Sequence, residues 1–179
     1  EGILKHCAPR NARKLGPIGE RFLEGYQPSL EAQIANLADE IAYNNHDVDD
    51  GLRSGLIDVN QLQSVAIFER FYRSVKDLYP GLAGRQIIYE TIRRIINALV
   101  VDLGSQTRKN IKLLDPGSIE DVRGGKPLVS FSVKLKQEHQ ELKLFLHRFL
   151  YKHENVVFMA TRSKQIIKNL FEIFLENPD

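Results

Sequence analysis

The sequence predicts an all-α fold with at most one short extended segment, and three observations support this prediction. Apolar residues recur at three- and four-residue steps through most of the chain, which is the period of an α-helix. Glycine and proline residues gather between these periodic segments, where turns are expected. Of the 179 residues, 42% are hydrophobic and 27% are charged, a composition typical of a folded globular protein. Short connections between the helices favour an antiparallel helical bundle.

The first strongly periodic helix is predicted to begin after Ser29 and to reach Asp50. Serine is a residue type that caps helix N-termini with its hydroxyl oxygen. Apolar residues then follow at helical spacing: Leu30, Ile34, Leu37, Ile41 and Val48. Residues 9–28, which precede this helix, contain repeated proline and glycine and are predicted to form an irregular, mostly exposed connection.

The later part of the chain repeats the same pattern of periodic segments and breaks. Helices are predicted over residues 58–79, 82–110, 134–156 and 156–176. Residues 112–130 are rich in proline and glycine and are predicted to form a loop, and residues 128–133 supply the short extended segment. Four phenylalanines at helical spacing are predicted to lie in the core: Phe145, Phe149, Phe171 and Phe174.

The charge and cysteine content exclude several classes of partner and site. Lys and Arg total 25 against 23 Asp and Glu, so the net charge of +2 gives no bulk attraction to nucleic acid or to an anionic membrane. The single cysteine, Cys7, excludes an intramolecular disulfide and a multi-cysteine zinc site. No apolar run approaches the roughly 18 residues of a transmembrane helix. These features predict a cytoplasmic protein without a membrane segment.

A polar stripe runs along the first helix, in the stretch ADEIAYNNHDVDD at residues 38–50. Because each four-residue step turns a helix by about 40° beyond a full circle, Asp39, Tyr43 and Asp47 lie along one face. They span roughly 12 Å, which is enough to follow a small molecule such as a nucleotide. Carboxylates ligate metal ions or accept hydrogen bonds from sugar hydroxyls, and a tyrosine stacks or donates a hydrogen bond. The stripe therefore suits a metal-dependent site for a sugar-bearing substrate.

The same stripe has a second interpretation as an ordinary solvated helix face, where acids and amides are common. No Lys or Arg occurs between Gln27 and Gly51, however, so the acids lack the cations that usually pair with them at i,i+4. A non-catalytic helical module that docks a basic partner through the acidic face at residues 36–50 is therefore the alternative to an enzyme.

At these residues the chain resembles the deoxyguanosine triphosphate triphosphohydrolase (dGTPase)-like family of the HD-domain superfamily. The specific part of the resemblance is SLEAQ, at residues 29–33, together with ADEIAYNNHD, at residues 38–47. Further landmarks follow in YPGLAGRQIIYETIRRIINALVVDL, LVSFS and VVFMATRSKQIIKNLFEIF. The landmarks correspond to the C-terminal half of the family. The resemblance predicts that residues 1–55 end the HD catalytic core and that residues 56–179 form a C-terminal helical domain.

The resemblance implies hydrolysis of a deoxynucleoside triphosphate to a deoxynucleoside and intact triphosphate, with a divalent metal such as Mg²⁺ or Mn²⁺. Asp39 resembles the last metal ligand of the family. Tyr43 and Asp47 resemble residues that line the deoxyribose, with Asp47 accepting a hydrogen bond from the 3′ hydroxyl. The family forms ring-like or tetrameric assemblies, so the resemblance also implies a homo-oligomer.

Two further residues are candidates for contacting the substrate phosphates. Arg93 offers a guanidinium group, which pairs bidentately with phosphate, and His6 closes the landmark EGILKH. The alternatives are an exposed helix face paired with Glu90 for Arg93, and a surface loop end for His6. The family's other metal ligands, a histidine and a His-Asp doublet, lie upstream of the position of Glu1, so the 179-residue chain alone is expected to be inactive.

Overall fold

The computed structural model of the protein describes residues 9–176. The helices are α1 Pro9–Ala12, α2 Pro17–Leu23, α3 Leu30–Ser54, α4 Val59–Leu62, α5 Ala66–Leu78, α6 Arg85–Leu114, α7 Ile119–Gly124, α8 Val133–Leu146 and α9 Glu154–Glu176. A 3-10 turn at Arg13–Leu15 follows α1, and a π-helical turn at His147–Tyr151 continues α8. No β-strand occurs among residues 9–176, so the predicted all-α fold is confirmed.

The hydrophobic core lies between α3, α5, α6 and α8. Helices α3 and α5 both pack against α6, and α8 packs against α3 and α5. The core includes the fully buried side chains Leu62, Ile67, Phe68, Ile95, Leu99, Leu142 and Leu146. Helix α3 contributes Ile41 and Val48, as its predicted apolar face requires, whereas Ile34 is 47% exposed. The long helix with the polar stripe is therefore fixed along one side by the core.

Helix α3 begins as predicted and extends one turn further. The Ser29 hydroxyl oxygen accepts a hydrogen bond from the backbone N–H of Ala32 at 3.4 Å. The helix continues beyond Asp50 and ends at Gly55, whose φ of 71° lies in the left-handed region that favours glycine. Gly51 is buried, and a Cβ atom there would lie 2.7 Å from Ile57 Cδ1. The missing side chain lets the segment after α3 fold back across the helix.

Several element boundaries differ from the prediction. Residues 9–28 contain α1 and α2 in place of a wholly irregular connection. The helix predicted over residues 58–79 is divided into α4 and α5, because Val65 has an extended backbone. The predicted loop at residues 112–130 contains the end of α6 and all of α7, which begins with a capping box. Helices this short carry too little periodic pattern to be recognised from the sequence.

The segment at residues 128–133, predicted to be extended, forms no strand and is held by side chains. The backbone N–H groups of Leu128 and Val129 donate to Gln33 Oε1 at 3.1 and 3.2 Å, and Gln33 Nε2 donates to the Pro28 carbonyl at 3.0 Å. The Ser132 N–H donates to Asp102 Oδ2 at 2.8 Å. Buried backbone groups require partners, and here polar side chains of α3 and α6 provide them in place of a neighbouring strand.

Helix α9 differs most from the rest of the bundle, because none of its residues is buried. Phe171 and Phe174 are 64% and 68% exposed, so the prediction that they lie in the core is wrong. Phe145 is buried as predicted, and Phe149 packs against the core. Helical spacing shows which side chains share a face but does not show whether another helix covers that face. Within residues 9–176, no helix has both the length and the apolar composition needed to cross a membrane.

Candidate active site

The predicted polar stripe lies on α3, largely on the side that faces away from the core. Asp39 and Tyr43 are exposed, and Asp47 is half-buried. Ile41 and Val48 lie on the other side of the same helix and are buried. Because packing against the core fixes the apolar side of α3, Asp39, Tyr43 and Asp47 are held in line along the opposite side of the helix.

Tyr151 meets this stripe from a distant part of the chain. Its hydroxyl donates a hydrogen bond to Oδ2 of Asp47, and Tyr43 lies close enough to contribute, after burial and Asp47, to the raised pKa of Tyr151. Tyr151 ends the π-helical turn after α8, and a π-turn changes the direction of the side chains that follow it. Sequence reasoning did not single out Tyr151, because it lies 104 positions from Asp47 and the contact leaves no local pattern.

The Tyr151 hydroxyl is a stable hydrogen-bond donor. Partial burial, and then the hydrogen bond to Asp47, raise the pKa of Tyr151 above its ordinary value. The hydroxyl therefore keeps its proton at neutral pH, whereas an ionised carboxylate accepts hydrogen bonds only. Because the Tyr151 O–H is already donated to Asp47, the pair offers acceptor positions on the Asp47 carboxylate and on the phenol oxygen, and these suit a ligand hydroxyl that donates.

A second polar group lies between α3 and α8, beside the stripe. Asn44 Nδ2 lies 2.8 Å from Nε2 of His139, and both residues are buried. Glu40 Oε1 lies 3.6 Å from His139 Nδ1, and Glu40 Oε2 lies 3.0 Å from Lys143 Nζ. Because the amide nitrogen of Asn44 only donates, Nε2 accepts and Nδ1 carries the hydrogen of the neutral ring. Glu40 is adjacent to Asp39, so these contacts hold the segment of α3 that carries Asp39.

His139 remains neutral within this group. Burial is the largest cause that lowers the pKa of His139, and the positive charge of Lys143 lowers it further, against the opposing effect of Glu40. A cavity of about 210 Å³ adjoins the group and is lined in part by Glu40, Lys136 and His139. His139 is buried and packs between α3 and α8.

Of the two candidates for phosphate contacts, Arg93 does not join the stripe. Arg93 lies exposed on α6 with its Nη2 2.7 Å from Glu90 Oε1, and Arg94 binds the same carboxylate. No hydrogen bond or ion pair connects Arg93 to α3 among residues 9–176, whereas Arg85 at the start of α6 binds Asp49 at 2.8 Å. His6 lies outside the described residues.

Asp39 has the properties of one metal ligand but not of a complete site. Its carboxylate is exposed and accepts no hydrogen bond from another described residue. In the part of the chain that the structure describes, no three His, Cys, Asp or Glu side chains are grouped so as to hold a metal ion. Hard divalent cations take several oxygen ligands, so one carboxylate fits one position of such a centre and does not hold the ion alone.

The amino-acid sequence matches known proteins in two ways. Residues 129–179 match the family described as phosphohydrolase-associated domain. The deoxyguanosinetriphosphate triphosphohydrolase-like protein of Ralstonia nicotianae is 57% identical over 178 residues, which cover 99% of this chain and 46% of the relative. The protein of the same name in Bordetella pertussis is 56% identical over 178 residues, again 99% of this chain and 46% of the relative.

The similarity extends to a third genus at the same coverage. The deoxyguanosinetriphosphate triphosphohydrolase-like protein of Thiobacillus denitrificans is 54% identical over 174 residues, which cover 97% of this chain and 46% of the relative. The chain thus spans about half the length of the relatives that it matches. Because the matched stretches cover 97–99% of this chain, they take in the helix that carries the stripe.

Proposed function

We propose, on the premise that this chain is homologous to part of the dGTPase-like proteins along nearly its whole length, that it forms part of a metal-dependent deoxynucleoside triphosphate triphosphohydrolase. Water would be added between the sugar 5′ oxygen and the α-phosphorus, which releases a deoxynucleoside and intact triphosphate. The division between a core end at residues 1–55 and a helical domain at residues 56–179 belongs to the same proposal.

The arrangement on α3 is the observation that carries this proposal. Asp39, Tyr43 and Asp47 follow one another along one helix, and Tyr151 joins the group at Asp47. A carboxylate for a cation at one end and a carboxylate with a phenol for a hydroxyl at the other end match the two ends of a nucleotide. The roughly 12 Å between the ends follows from eight residues of helix rise.

The chemistry of the two ends is different. A bound divalent cation would polarise phosphate oxygens or lower the pKa of a water molecule, and Asp39 would supply one of its oxygen ligands. Its remaining ligands would come from residues beyond 9–176, since no such group occurs within them. Asp47 would accept a hydrogen bond from the 3′ hydroxyl, and Tyr43 and Tyr151 would place their rings against the deoxyribose.

The metal role of Asp39 can be tested without measuring turnover. In a polypeptide with the full length of the relatives that carries this chain, Asp39→Asn should weaken Mn²⁺ binding, measured by titration calorimetry or by the electron paramagnetic resonance of free Mn²⁺. Asp77→Asn is the matched control, because Asp77 is exposed on α5, away from the stripe. Equal Mn²⁺ affinity in the Asp39→Asn variant and the wild type would exclude this role.

The sugar role of Asp47 predicts a loss of discrimination. A hydrogen bond to a charged group is worth about 1.5–3 kcal/mol, so kcat/KM for a deoxynucleoside triphosphate should exceed that for its 3′-deoxy analogue by roughly 10- to 100-fold. Asp47→Asn should remove most of this ratio mainly by lowering kcat/KM for the substrate that has the 3′ hydroxyl. An unchanged ratio would show that Asp47 does not bind this hydroxyl.

The two function hypotheses differ in what the 179-residue chain does alone. The enzyme proposal expects no turnover by this chain, and turnover equal to that of a full-length polypeptide would contradict it. The alternative, a module that docks a basic partner through residues 36–50, expects binding of a lysine-rich peptide that depends on Asp39 and Asp50. Peptide binding together with Mn²⁺ affinity that Asp39→Asn leaves unchanged would favour this alternative.

A further inference from the structure

Helix α9 is long and presents large apolar side chains that no described residue buries. It has 23 residues, or about 35 Å at the usual rise per residue. Its principal neighbour is the π-helical turn that precedes it. Large side chains at least 45% exposed include Val157, Phe158, Met159, Ile166, Ile167, Leu170, Phe171, Phe174 and Leu175. Contiguous apolar surface of this extent marks an interaction surface.

The apolar side chains are arranged for contact with another helix. Met159, Ile166 and Leu170, together with the small polar Ser163, follow at alternating four- and three-residue steps, which is the spacing of the central seam between paired helices. Isolated helices depend mainly on packing of their apolar face for stability. An amphipathic helix with the same spacing of apolar residues therefore fits the seam of α9.

The charges beside this seam fit a second copy of the same helix. Arg162, Asn169 and Glu176 follow at seven-residue steps along one border of the seam, and all three are exposed. In an antiparallel pair of identical helices that border meets the same border of the other copy. With Asn169 facing Asn169, Arg162 of each copy faces Glu176 of the other. The border formed by Arg162, Asn169 and Glu176 is therefore complementary in charge to the same border of a second, antiparallel helix.

We propose that α9 pairs with α9 of a second copy of this chain in the antiparallel direction, with its two-fold axis near Asn169. In this register Ile166 of each copy packs beside Leu170 of the other, and Ile167 meets Ile167 across the axis. The same surface serves both copies, so the contact closes as a dimer and does not propagate into a filament. The proposal is independent of the catalytic role of α3.

A parallel pair does not satisfy the same residues. It would place Ser163 against Ser163 in the seam, where an apolar layer is needed. The border position of Arg162 would meet Ile167 of the other copy, which removes the ion pair with Glu176. It would also align the two helix dipoles side by side, whereas antiparallel dipoles attract.

Charge reversal provides the first test on the 179-residue chain. Sedimentation equilibrium should show a reversible dimer of the 20.5 kDa chain. Arg162→Glu should raise the dimer dissociation constant at least about tenfold, because two ion pairs become two like-charge contacts. The double variant Arg162→Glu/Glu176→Arg has the net charge of the wild type and should restore the original dissociation constant. Leu170→Glu should give a monomer.

Cysteine cross-linking tests the register, with Cys7→Ser as the background. Asn169→Cys should form a disulfide-linked dimer on mild oxidation, because this position faces itself. Arg162→Cys and Glu176→Cys should each fail to cross-link alone and should form a mixed disulfide when the two proteins are combined. Far-ultraviolet circular dichroism of each variant verifies that the helices are retained.

Specific results would overturn the proposal. A wild-type chain that is monomeric at all concentrations would do so, as would a dimer that Leu170→Glu leaves intact. Failure of the double charge reversal to restore the dissociation constant, or equal cross-linking of Arg162→Cys alone and in the mixture, would exclude the antiparallel register.

Discussion

Helices α3 and α9 have nearly the same length and the same kind of amphipathic sequence, yet their surroundings differ completely. Helix α3 has 25 residues and α9 has 23. Helix α3 buries residues along one side, whereas α9 buries none. Periodicity therefore predicts that a segment is helical, but the partner of a helix depends on residues elsewhere in the chain or in another molecule.

The buried side of α3 carries polar as well as apolar side chains. Because buried polar groups need hydrogen-bond partners, they determine which segments can pack against α3. Gln33 binds the segment after α7, and Asn44 binds His139 on α8. Each of these groups would lose hydrogen bonds if α3 were displaced, and unpaired buried polar groups are costly. The apolar seam of α9 places no such requirement on a partner in the same chain.

The largest expected difference between the two regions concerns a phenylalanine in each. Phe68→Ala, at a fully buried position, should lower the free energy of unfolding by about 3–5 kcal/mol. Phe158→Ala, at a position 63% exposed and outside the seam of α9, should change it by less than about 0.5 kcal/mol. Urea unfolding followed by circular dichroism measures both. Equal losses would show that α9 is packed within the chain.

A smaller loss is expected for a polar contact of α3. Gln33→Leu would leave the buried N–H groups of Leu128 and Val129 without their acceptor, which should cost about 2–3 kcal/mol. Gln137→Leu, at an exposed position on α8, is the matched control and should have little effect. Hydrogen exchange of the Leu128 and Val129 amides would rise in the Gln33 variant if the assignment is right. A neutral Gln33→Leu would mean that these amides find other partners.

These contacts also show what the sequence could and could not predict. The course of α3, its cap at Ser29 and the stripe of Asp39, Tyr43 and Asp47 depend on residues a few positions apart, and all are visible as local patterns. Gln33 and Tyr151 act across 96 and 104 positions, respectively, to Val129 and Asp47. No periodic pattern records such a contact, because either side chain alone is equally compatible with an exposed helix face.

The next expected effect is a pH dependence of stability that comes from His139. Its folded-state pKa lies below the usual value of 6.5 because the ring is buried, so the unfolded chain takes up the proton first as the pH falls. The stabilisation is complete above about pH 6.5 and declines as the pH falls through that value toward the folded pKa. One proton gives a slope of at most about 1.4 kcal/mol per pH unit.

Two variants separate this slope from the general effect of acid. His139→Gln retains an acceptor for Asn44 and removes the titration, so its unfolding free energy should be flatter than that of the wild type between about pH 7 and about pH 5. His46→Gln, on the exposed side of α3, should keep the wild-type slope. Identical slopes in the wild type and the His139→Gln variant would contradict the assignment.

The smallest expected effect concerns Arg93, whose contact lies on the exposed surface of α6. Arg93, and then Arg94, lower the pKa of Glu90 to about 2, so this carboxylate is ionised at neutral pH. Arg93→Ala leaves Arg94 Nε at 2.7 Å from Glu90, and exposed ion pairs contribute little. The free energy of unfolding at pH 7 should therefore equal that of the wild type within error.

If Arg93 binds the triphosphate, Arg93→Ala in a full-length polypeptide would still raise KM for the nucleotide. Arg73→Ala is the control, because Arg73 forms a similar exposed ion pair with Glu69 on α5, and it should leave KM unchanged. An unchanged KM in both variants would show that Arg93 does not contact the nucleotide. The proposed site would then consist of residues on α3 and the turn that ends at Tyr151.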